Sequence, residues 1–325
     1  MRQIVVLLST FNGEKFLETQ IESILNQNGQ NKDFNLKILV RDDGSTDSTI
    51  GILKRQKRID ILPSFGKNIG VKKSFFELLS KSPVADFYFF SDQDDIWPPN
   101  KIQRFLEHYE SSKIKDGIPV GIYSDLWISD ENGISTGERM SYKYKWTKKP
   151  DYKFFAWNYR VTGAAFAINY DAKNLIQTVP VSWQSEINMH DSFIALLLSI
   201  VGQIIQIDEP LLFYRQHGGN LVGASNRKRG FFYRVKNVFK ISDAMINDNL
   251  KIYKWLSVNK NKYYVAGTKL EYFDQIHKMV ILSKWTKKIK IWKVISKDII
   301  VSKIKLAVFR EIFLTRKCFS RKKQR

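Results

Sequence analysis

The chain has 325 residues, 43% of them hydrophobic and 14% aromatic, enough for one large domain with an appendage and incompatible with a disordered polymer. A single cysteine, Cys318, excludes an internal disulfide and argues against a cysteine-based zinc site. The net charge of +21 is confined to one region: residues 226–325 hold 27 Lys+Arg and 6 Asp+Glu, whereas residues 1–225 hold 26 of each. That step sets a boundary near Ser225, with an electrically neutral front and a back that seeks a polyanion, either a membrane surface or nucleic acid. No apolar run of about 18 residues predicts a membrane-spanning helix, and residues 1–3 lead straight into a strand without a signal-peptide layout, so a cytoplasmic chain is expected.

In chain order, residues 3–8 (QIVVLL) predict a buried strand, 9–13 a turn, and 16–25 a helix whose apolar residues recur at helical spacing. The pattern then repeats. A strand at 36–40 ends in Asp42-Asp43-Gly44-Ser45 before a helix to about 57, a short strand spans 59–62, a loop 66–70 precedes a helix over 71–79, and a strand covers 86–90. Alternating strand–helix units of this length predict an α/β fold with a doubly wound, mostly parallel sheet and right-handed crossovers, placing the loops after Leu8, Val40 and Phe90 on one edge. Neither GxGxxG nor GxxxxGK[ST] is present, which counts against a dinucleotide fold and a P-loop.

The strand at 86–90 ends in Asp92, Asp94 and Asp95, and three carboxylates at the mouth of an apolar strand repel one another. A hard divalent cation held at the sheet's carboxyl edge explains them; a solvated acidic turn capping a helix over 101–109 explains them equally, on this stretch alone.

LSTFNGEKFLETQIESILNQ, VRDDGSTDST, GKNIGVKKSF and FSDQDDIWPPNK, in this order, resemble the nucleotide-binding half of the family 2 glycosyltransferases with the GT-A fold. The SDQDDIW form is most similar to the bacterial rhamnosyltransferase-like branch. The likeness is close over about the first 110 residues and looser to about 225. It implies that Ser9, Thr10, Phe11 and Asn12 contact base and ribose, with Glu14 in the same donor-binding set and the Phe11 ring against the base. It places Asp43 on the pyrimidine N–H, Asn68 and Gly70 beside the nucleotide, and Asp92 and Asp94 at the ribose and a Mg²⁺ or Mn²⁺ ion. Asp42 is assigned to capping its own turn.

The second half is expected to supply acceptor and base. Residues 121–125 (GIYSD) read as a strand ending in Asp125, an acceptor candidate, and 161–168 (VTGAAFAI) as a small-residue strand. There Thr162, Gly163 and Ala164 either let an acceptor approach or reflect tight sheet packing. Asn188-Met189-His190-Asp191 opens an apolar helix over 193–201, where Asp191 reads as an N-cap; the resemblance makes it the catalytic base, with His190 on the acceptor side. A single base with no second nucleophilic carboxylate fits one inverting displacement. Strands at 204–207 and 211–214 lead into Tyr214-Arg215-Gln216-His217-Gly218-Gly219-Asn220. Arg215 suits a diphosphate clamp, and His217 is either a third metal ligand or an ordinary surface histidine.

Beyond the charge step helical patterns dominate, and 285–309 sets Trp285, Ile289, Trp292, Ile295 and Ile299 on one face with Lys287, Lys290 and Lys297 on another. A basic amphipathic segment with tryptophans suits an anionic membrane surface; the alternative is a solvated helix packed on its own domain. The expected organisation is residues 1–110 for nucleotide-sugar binding, 111–225 for acceptor binding and catalysis, and 226–325 as a basic helical region, in a peripheral membrane protein on the cytoplasmic side that is compatible with a homo-oligomer. The resemblance implies a metal-dependent inverting enzyme transferring from dTDP-rhamnose, or from a UDP-hexose or UDP-N-acetylhexosamine, to a glycan or lipid-linked glycan acceptor for a cell-surface polysaccharide. A nucleic-acid binder is the alternative class, disfavoured because no helix-turn-helix, RNA-recognition or zinc-finger pattern accompanies the charge.

Overall fold

The computed structural model describes residues 1–63, 66–147, 149–218 and 231–315. The boundary near Ser225, Gly219 and Asn220, and the terminal basic run 321–325 lie outside the described residues.

The front half alternates as expected: β1 (Arg2–Thr10), α1 (Leu17–Leu25), β2 (Phe34–Asp42), α2 (Thr49–Arg55), β3 (Ile59–Ile61), α3 (Val71–Lys81), β4 (Phe87–Ser91) and α4 (Lys101–Ser111). β1 pairs in parallel with β2 and β4, and β2 with β3. Side-chain alternation along β1 sorts the core into two layers. Ile4, Val6 and Leu8 pack with α1, α2 and α4, while Val5 and Leu7 pack on the other face with α3. Both faces are covered, which is why these strands read as unbroken apolar runs.

The second half comprises β5 (Val120–Ser129), β6 (Ser135–Arg139), α5 (Met140–Lys143), α6 (Tyr152–Trp157), β7 (Phe166–Asn169), α7 (Tyr170–Ile176), α8 (His190–Val201) and β8 (Gln203–Arg215). The strand order is β3-β2-β1-β4-β7-β5-β6, with β8 beside β5. β7 is antiparallel to both β4 and β5, which joins the two halves into one sheet.

Three expected elements differ. The strand foreseen at 161–168 begins only at Phe166, because Gly163–Ala165 forms a 3₁₀ turn closed by the bond from Ala165 N–H to the Thr162 carbonyl at 2.9 Å. The two strands foreseen at 204–207 and 211–214 are one strand, β8, whose register against β5 shifts between Ile207 and Pro210. Proline lacks the N–H that a regular ladder needs, so the strand bends there without ending. β5 runs on past Asp125 to Ser129, so that residue lies in mid-strand and not at an edge.

The last third is helical: α9 (Phe231–Asn259), α10 (Gly267–Ile281), α11 (Trp285–Ile295) and α12 (Ser302–Arg310), followed by a π-helical turn over Glu311–Thr315. The segment foreseen as continuous over 285–309 therefore breaks between α11 and α12. The two helices face each other across aromatic rings: Trp292 lies 5.4 Å from Phe309 and Trp285 lies 5.1 Å from Phe313. Met245, Ile252, Trp255, Phe273, Ile295 and Val308 share one apolar cluster with Phe75, Phe166 and Ile194, so the basic third packs onto the sheet domain. None of the described helices is long and apolar enough to cross a membrane.

Candidate active site

The carboxyl ends of β1, β2 and β4 deliver three loops to one edge, and side chains tie them together. Gln93 bridges two of them. Its Oε1 accepts from the Thr10 hydroxyl at 2.5 Å and the Phe11 N–H at 2.8 Å, and its Nε2 donates to the Phe11 carbonyl at 3.0 Å. A side chain at residue 13 would crowd the Gln93 amide and the Thr10 hydroxyl, so glycine lets these two close on one another. Asn12 adopts φ 49°, a left-handed conformation that asparagine tolerates, donates its N–H to Ser45 Oγ and accepts from Thr46 N–H, both at 2.8 Å. Glu14 accepts the Ser48 N–H at 2.9 Å, so the structure gives its carboxylate a part in shaping the turn before α2. Ser9 is buried, its hydroxyl paired with that of Ser74 at 2.6 Å.

The two aspartates after β2 divide as their surroundings dictate. Asp42 Oδ2 accepts from the Gly44 and Ser45 N–H groups at 3.0 and 2.9 Å, capping the turn. Asp43 Oδ1 accepts from Arg41 at 2.6 Å and Ile69 N–H at 2.7 Å, while Oδ2 accepts from Gly70 N–H at 2.8 Å. Asp43 thereby holds the 66–70 loop against β2, and its Oδ2 keeps one acceptor position. Asn68 is exposed on that loop, and Phe11 presents a ring that is 45% exposed at the same edge.

The acid loop beyond β4 is electrostatically loaded. Burial, with Asp94 and Asp191 adding to it, pushes the Asp92 carboxyl up to about 7. Asp95 is fully buried and raised well above the carboxylate range by burial and by the charges of Asp94 and Asp92. Its Oδ1 accepts the Arg215 N–H at 3.1 Å, and its Oδ2 is a buried atom without a partner. Lys101, also fully buried, sits beside these acids and donates to the Ala164 carbonyl at 2.6 Å; burial drives its ammonium well below the ordinary lysine value, and Asp95 and Asp92 oppose that. Burial and the charges of Asp95, Asp92, Asp94 and Asp191 together hold the Tyr214 phenol well above its usual value.

β8 returns Arg215 and His217 to this loop. His217 Nε2 lies 2.7 Å from Asp94 Oδ2, its ring against Phe16 at 4.7 Å. Arg215, expected as a diphosphate clamp, is 5% exposed. Its guanidinium donates to the Asp94 and Glu131 carbonyls at 2.8 Å each, so in this structure it fastens the acid loop to β8. Asp94, His217 and neighbouring Asp92 supply hard oxygen and imidazole donors, the right chemistry for Mg²⁺ or Mn²⁺. Among the described residues no three such side chains converge closely enough to hold an ion alone.

At the other end of the edge, Asp191 stands in the first turn of α8. Its Oδ2 accepts from Gly163 N–H at 2.8 Å and its Oδ1 from Ser192 N–H at 2.6 Å. His190 is stacked on Phe75 at 4.2 Å, and neither ring nitrogen has a hydrogen-bond partner; burial lowers its pKa and so favours the neutral imidazole. An added side chain at Gly163 would meet His190 Nε2 at 3.1 Å and Asp191 Oδ2 at 3.4 Å, so glycine lets this buried backbone close against both. Thr162 is half-buried beside it, and Ala164 is buried.

Asp125 does not join this group. Its fully buried carboxylate takes Arg139 Nε at 2.7 Å, Ser141 N–H at 3.0 Å and the Ser141 hydroxyl at 2.5 Å, anchoring β6 and α5. Sequence reasoning placed it at the acceptor because it took the strand to end there. Two residues that reasoning overlooked are central: Gln93 and Lys101. Both lay inside the quoted acidic motif, but nothing in the linear pattern marks their partners.

A parallel half-sheet whose carboxyl edge carries an acidic loop, joined through an antiparallel strand to a second half bearing a lone carboxylate, defines a nucleotide-sugar glycosyltransferase of the GT-A kind. The model of Glycosyl transferase family 2 matches residues 5–169, and the chain belongs to that family. It is 28% identical over 266 residues to the dTDP-rhamnosyl transferase RfbG of Shigella flexneri, covering 74% of this chain and 86% of that one. An uncharacterized glycosyltransferase of Nostoc is 27% identical over 228 residues, covering 67% of this chain and 66% of that protein. In fold, the chain superposes on S. aureus TarS residues 1–349 in complex with UDP-GlcNAc with a TM-score of 0.51 at 13% identity, over 96% of this chain and 85% of that one.

Proposed function

We propose that this glycosyltransferase moves rhamnose from dTDP-rhamnose to a hydroxyl of a glycan or lipid-linked glycan, inverting the anomeric centre. The observation that carries this reading is the turn that ties Asp191 to the acid-loop side of the edge: Gly163 N–H donates to Asp191 at 2.8 Å, and the next carbonyl, of Ala164, accepts from Lys101 at 2.6 Å. The rhamnosyl donor is supported by the likeness to a dTDP-rhamnosyl transferase over most of both chains. The Phe11 ring lies against the base, the remaining acceptor position of Asp43 meets the pyrimidine N–H, and Thr10, Asn12, Asn68, Gly70 and Asp92 line the nucleotide. The acceptor hydroxyl approaches Asp191 beside Thr162 and His190. Asp191 takes its proton as the oxygen bonds to the anomeric carbon and the bond to the diphosphate breaks on the opposite face. Asp92, Asp94 and His217 would hold Mg²⁺ or Mn²⁺, which when bound stabilises the charge growing on the diphosphate.

The test is a donor-consumption screen over dTDP-rhamnose, UDP-galactose and UDP-N-acetylglucosamine, with and without EDTA. Preferential loss of dTDP-rhamnose is expected; preference for a UDP sugar replaces the donor, and turnover of none of them removes this reading. We also propose that α11 and α12 rest on an anionic membrane surface at the cytoplasmic face. Trp285, Val294, Ile300, Leu306 and Leu314 are exposed there among exposed Lys287, Lys290, Lys293 and Lys303, a mixture of apolar and basic groups that fits the headgroup boundary.

A further inference from the structure

A further buried carboxylate belongs to neither the acid loop nor the base. Asp248 lies on α9, in the basic third, and is 1% exposed among apolar residues that include Met245, Ile246 and Ile252. Burial pushes its carboxyl up to about 7, opposed by the bonds it accepts. A carboxylate in such a place is costly unless its bonds have a purpose, because an apolar side chain of similar size would pack there without desolvation.

Its partners show where those bonds lead. Oδ2 accepts from the Tyr159 hydroxyl at 3.0 Å, and Oδ1 accepts from the Asn188 N–H at 3.2 Å. Tyr159 precedes Gly163 on one segment and Asn188 precedes Asp191 on another, and these segments meet where Gly163 N–H donates to Asp191. Two neighbouring contacts strengthen the grip. Asn249 donates to the Ala156 carbonyl at 2.9 Å, and Lys72 donates to the Ile187 and Ser185 carbonyls at 2.6 and 3.1 Å.

We infer that Asp248 is a positioning residue for the catalytic base: through Tyr159 and Asn188 it clamps the two backbone segments whose meeting orients the Asp191 carboxylate. This rests on the reading of Asp191 as the base. The basic third is thereby part of the catalytic apparatus, whatever surface it also touches.

The experiment compares the full chain with Asp248→Leu, Asp248→Asn and Tyr159→Phe. Five quantities are measured: the melting temperature, the affinity for dTDP or UDP with Mn²⁺, kcat and donor KM for the donor that wild type consumes, and hydrogen exchange over residues 158–165. Asp248→Leu should leave nucleotide affinity and donor KM within about twofold and lower kcat by roughly tenfold to a hundredfold, because small displacements of a catalytic group carry losses of that size. Exchange over 158–165 should rise about tenfold. Tyr159→Phe, the milder change, should shift both in the same direction, and Asp248→Asn, which still accepts from Tyr159, should recover part of kcat. An unchanged kcat in a folded Asp248→Leu protein overturns the inference, as does a loss shared equally by nucleotide affinity. If Asp248→Leu does not fold, unchanged kcat and exchange in Tyr159→Phe overturn it instead. A wild type that consumes no donor defeats the functional reading, and the exchange data then decide the clamp by themselves.

Discussion

The loops at the ends of β1, β2 and β4 and the corner formed by Gly163, His190 and Asp191 serve one sheet edge yet are built in opposite ways. The first region is knitted by reciprocal bonds among Gln93, Thr10, Phe11, Asn12, Ser45, Asp43 and Gly70, all drawn from the front of the chain. The second has a buried imidazole without hydrogen-bond partners packed against a buried glycine, and it is braced from the distant helix α9. A buried donor or acceptor left unpaired costs about 1–3 kcal/mol. That cost falls on His190 in the corner and also on Asp95 Oδ2 behind the acid loop, so the two regions differ in what holds them: local loop-to-loop bonds in the first, bonds from a distant helix in the second.

The sharpest way to separate the two regions is Asp191→Asn, which keeps the volume of the side chain and removes its basicity. Turnover is expected to fall by about 10²–10⁴-fold with nucleotide affinity near that of wild type. Steady-state kinetics beside calorimetry with dTDP or UDP reads both; a deficit confined to nucleotide affinity would make Asp191 a donor-side residue and erase the contrast. Next in size is Asp94→Ala, or exhaustive chelation of wild type, expected to reduce transfer by about a hundredfold or more while the melting temperature holds, since charge stabilisation by a bound ion is worth several kcal/mol. Undiminished turnover in EDTA would show that the acid loop works without an ion.

A smaller effect tests the knitted loops themselves. Gln93→Ala deletes three hydrogen bonds between the β1 and β4 loops, each worth about 1 kcal/mol net, and should weaken donor KM about tenfold, with partial compensation by water and little change in kcat. A kcat loss with KM intact would place Gln93 in the chemistry and blur the two regions. The smallest effect concerns the charge asymmetry. A Lys287, Lys290 and Lys293 to Gln variant should lose salt-sensitive co-sedimentation with anionic vesicles, at up to about 1 kcal/mol per charge, while transfer to a soluble acceptor is unchanged. Lys288 is left out because it is buried and donates to the Ile312 carbonyl at 3.0 Å. Equal sedimentation of variant and wild type would leave the exposed lysines without a membrane role.

The sequence by itself determined the alternating front half, the edge on which its loops lie and the family. Runs such as Val5–Leu8 and Phe87–Phe90 are buried on both faces, and that environment leaves an unbroken apolar signature. It indicated the capping role of Asp42 too, because a turn is capped by groups two and three residues away. Tertiary structure alone decided what depends on partners far along the chain. Asp125 looked like an edge residue until β5 continued past it and Arg139 and Ser141 took its oxygens. Arg215, expected as a clamp for phosphate, also gives two guanidinium N–H groups to the Asp94 and Glu131 carbonyls, partners that no local pattern announces. The segment over 285–309 had the periodicity of a single helix, but it forms two, which meet where Trp292 packs edge-on against Phe309. Asp248 carried no local signal at all, since its meaning lies in Tyr159 and Asn188, and periodicity reports the face a side chain occupies, never the atom that it meets there.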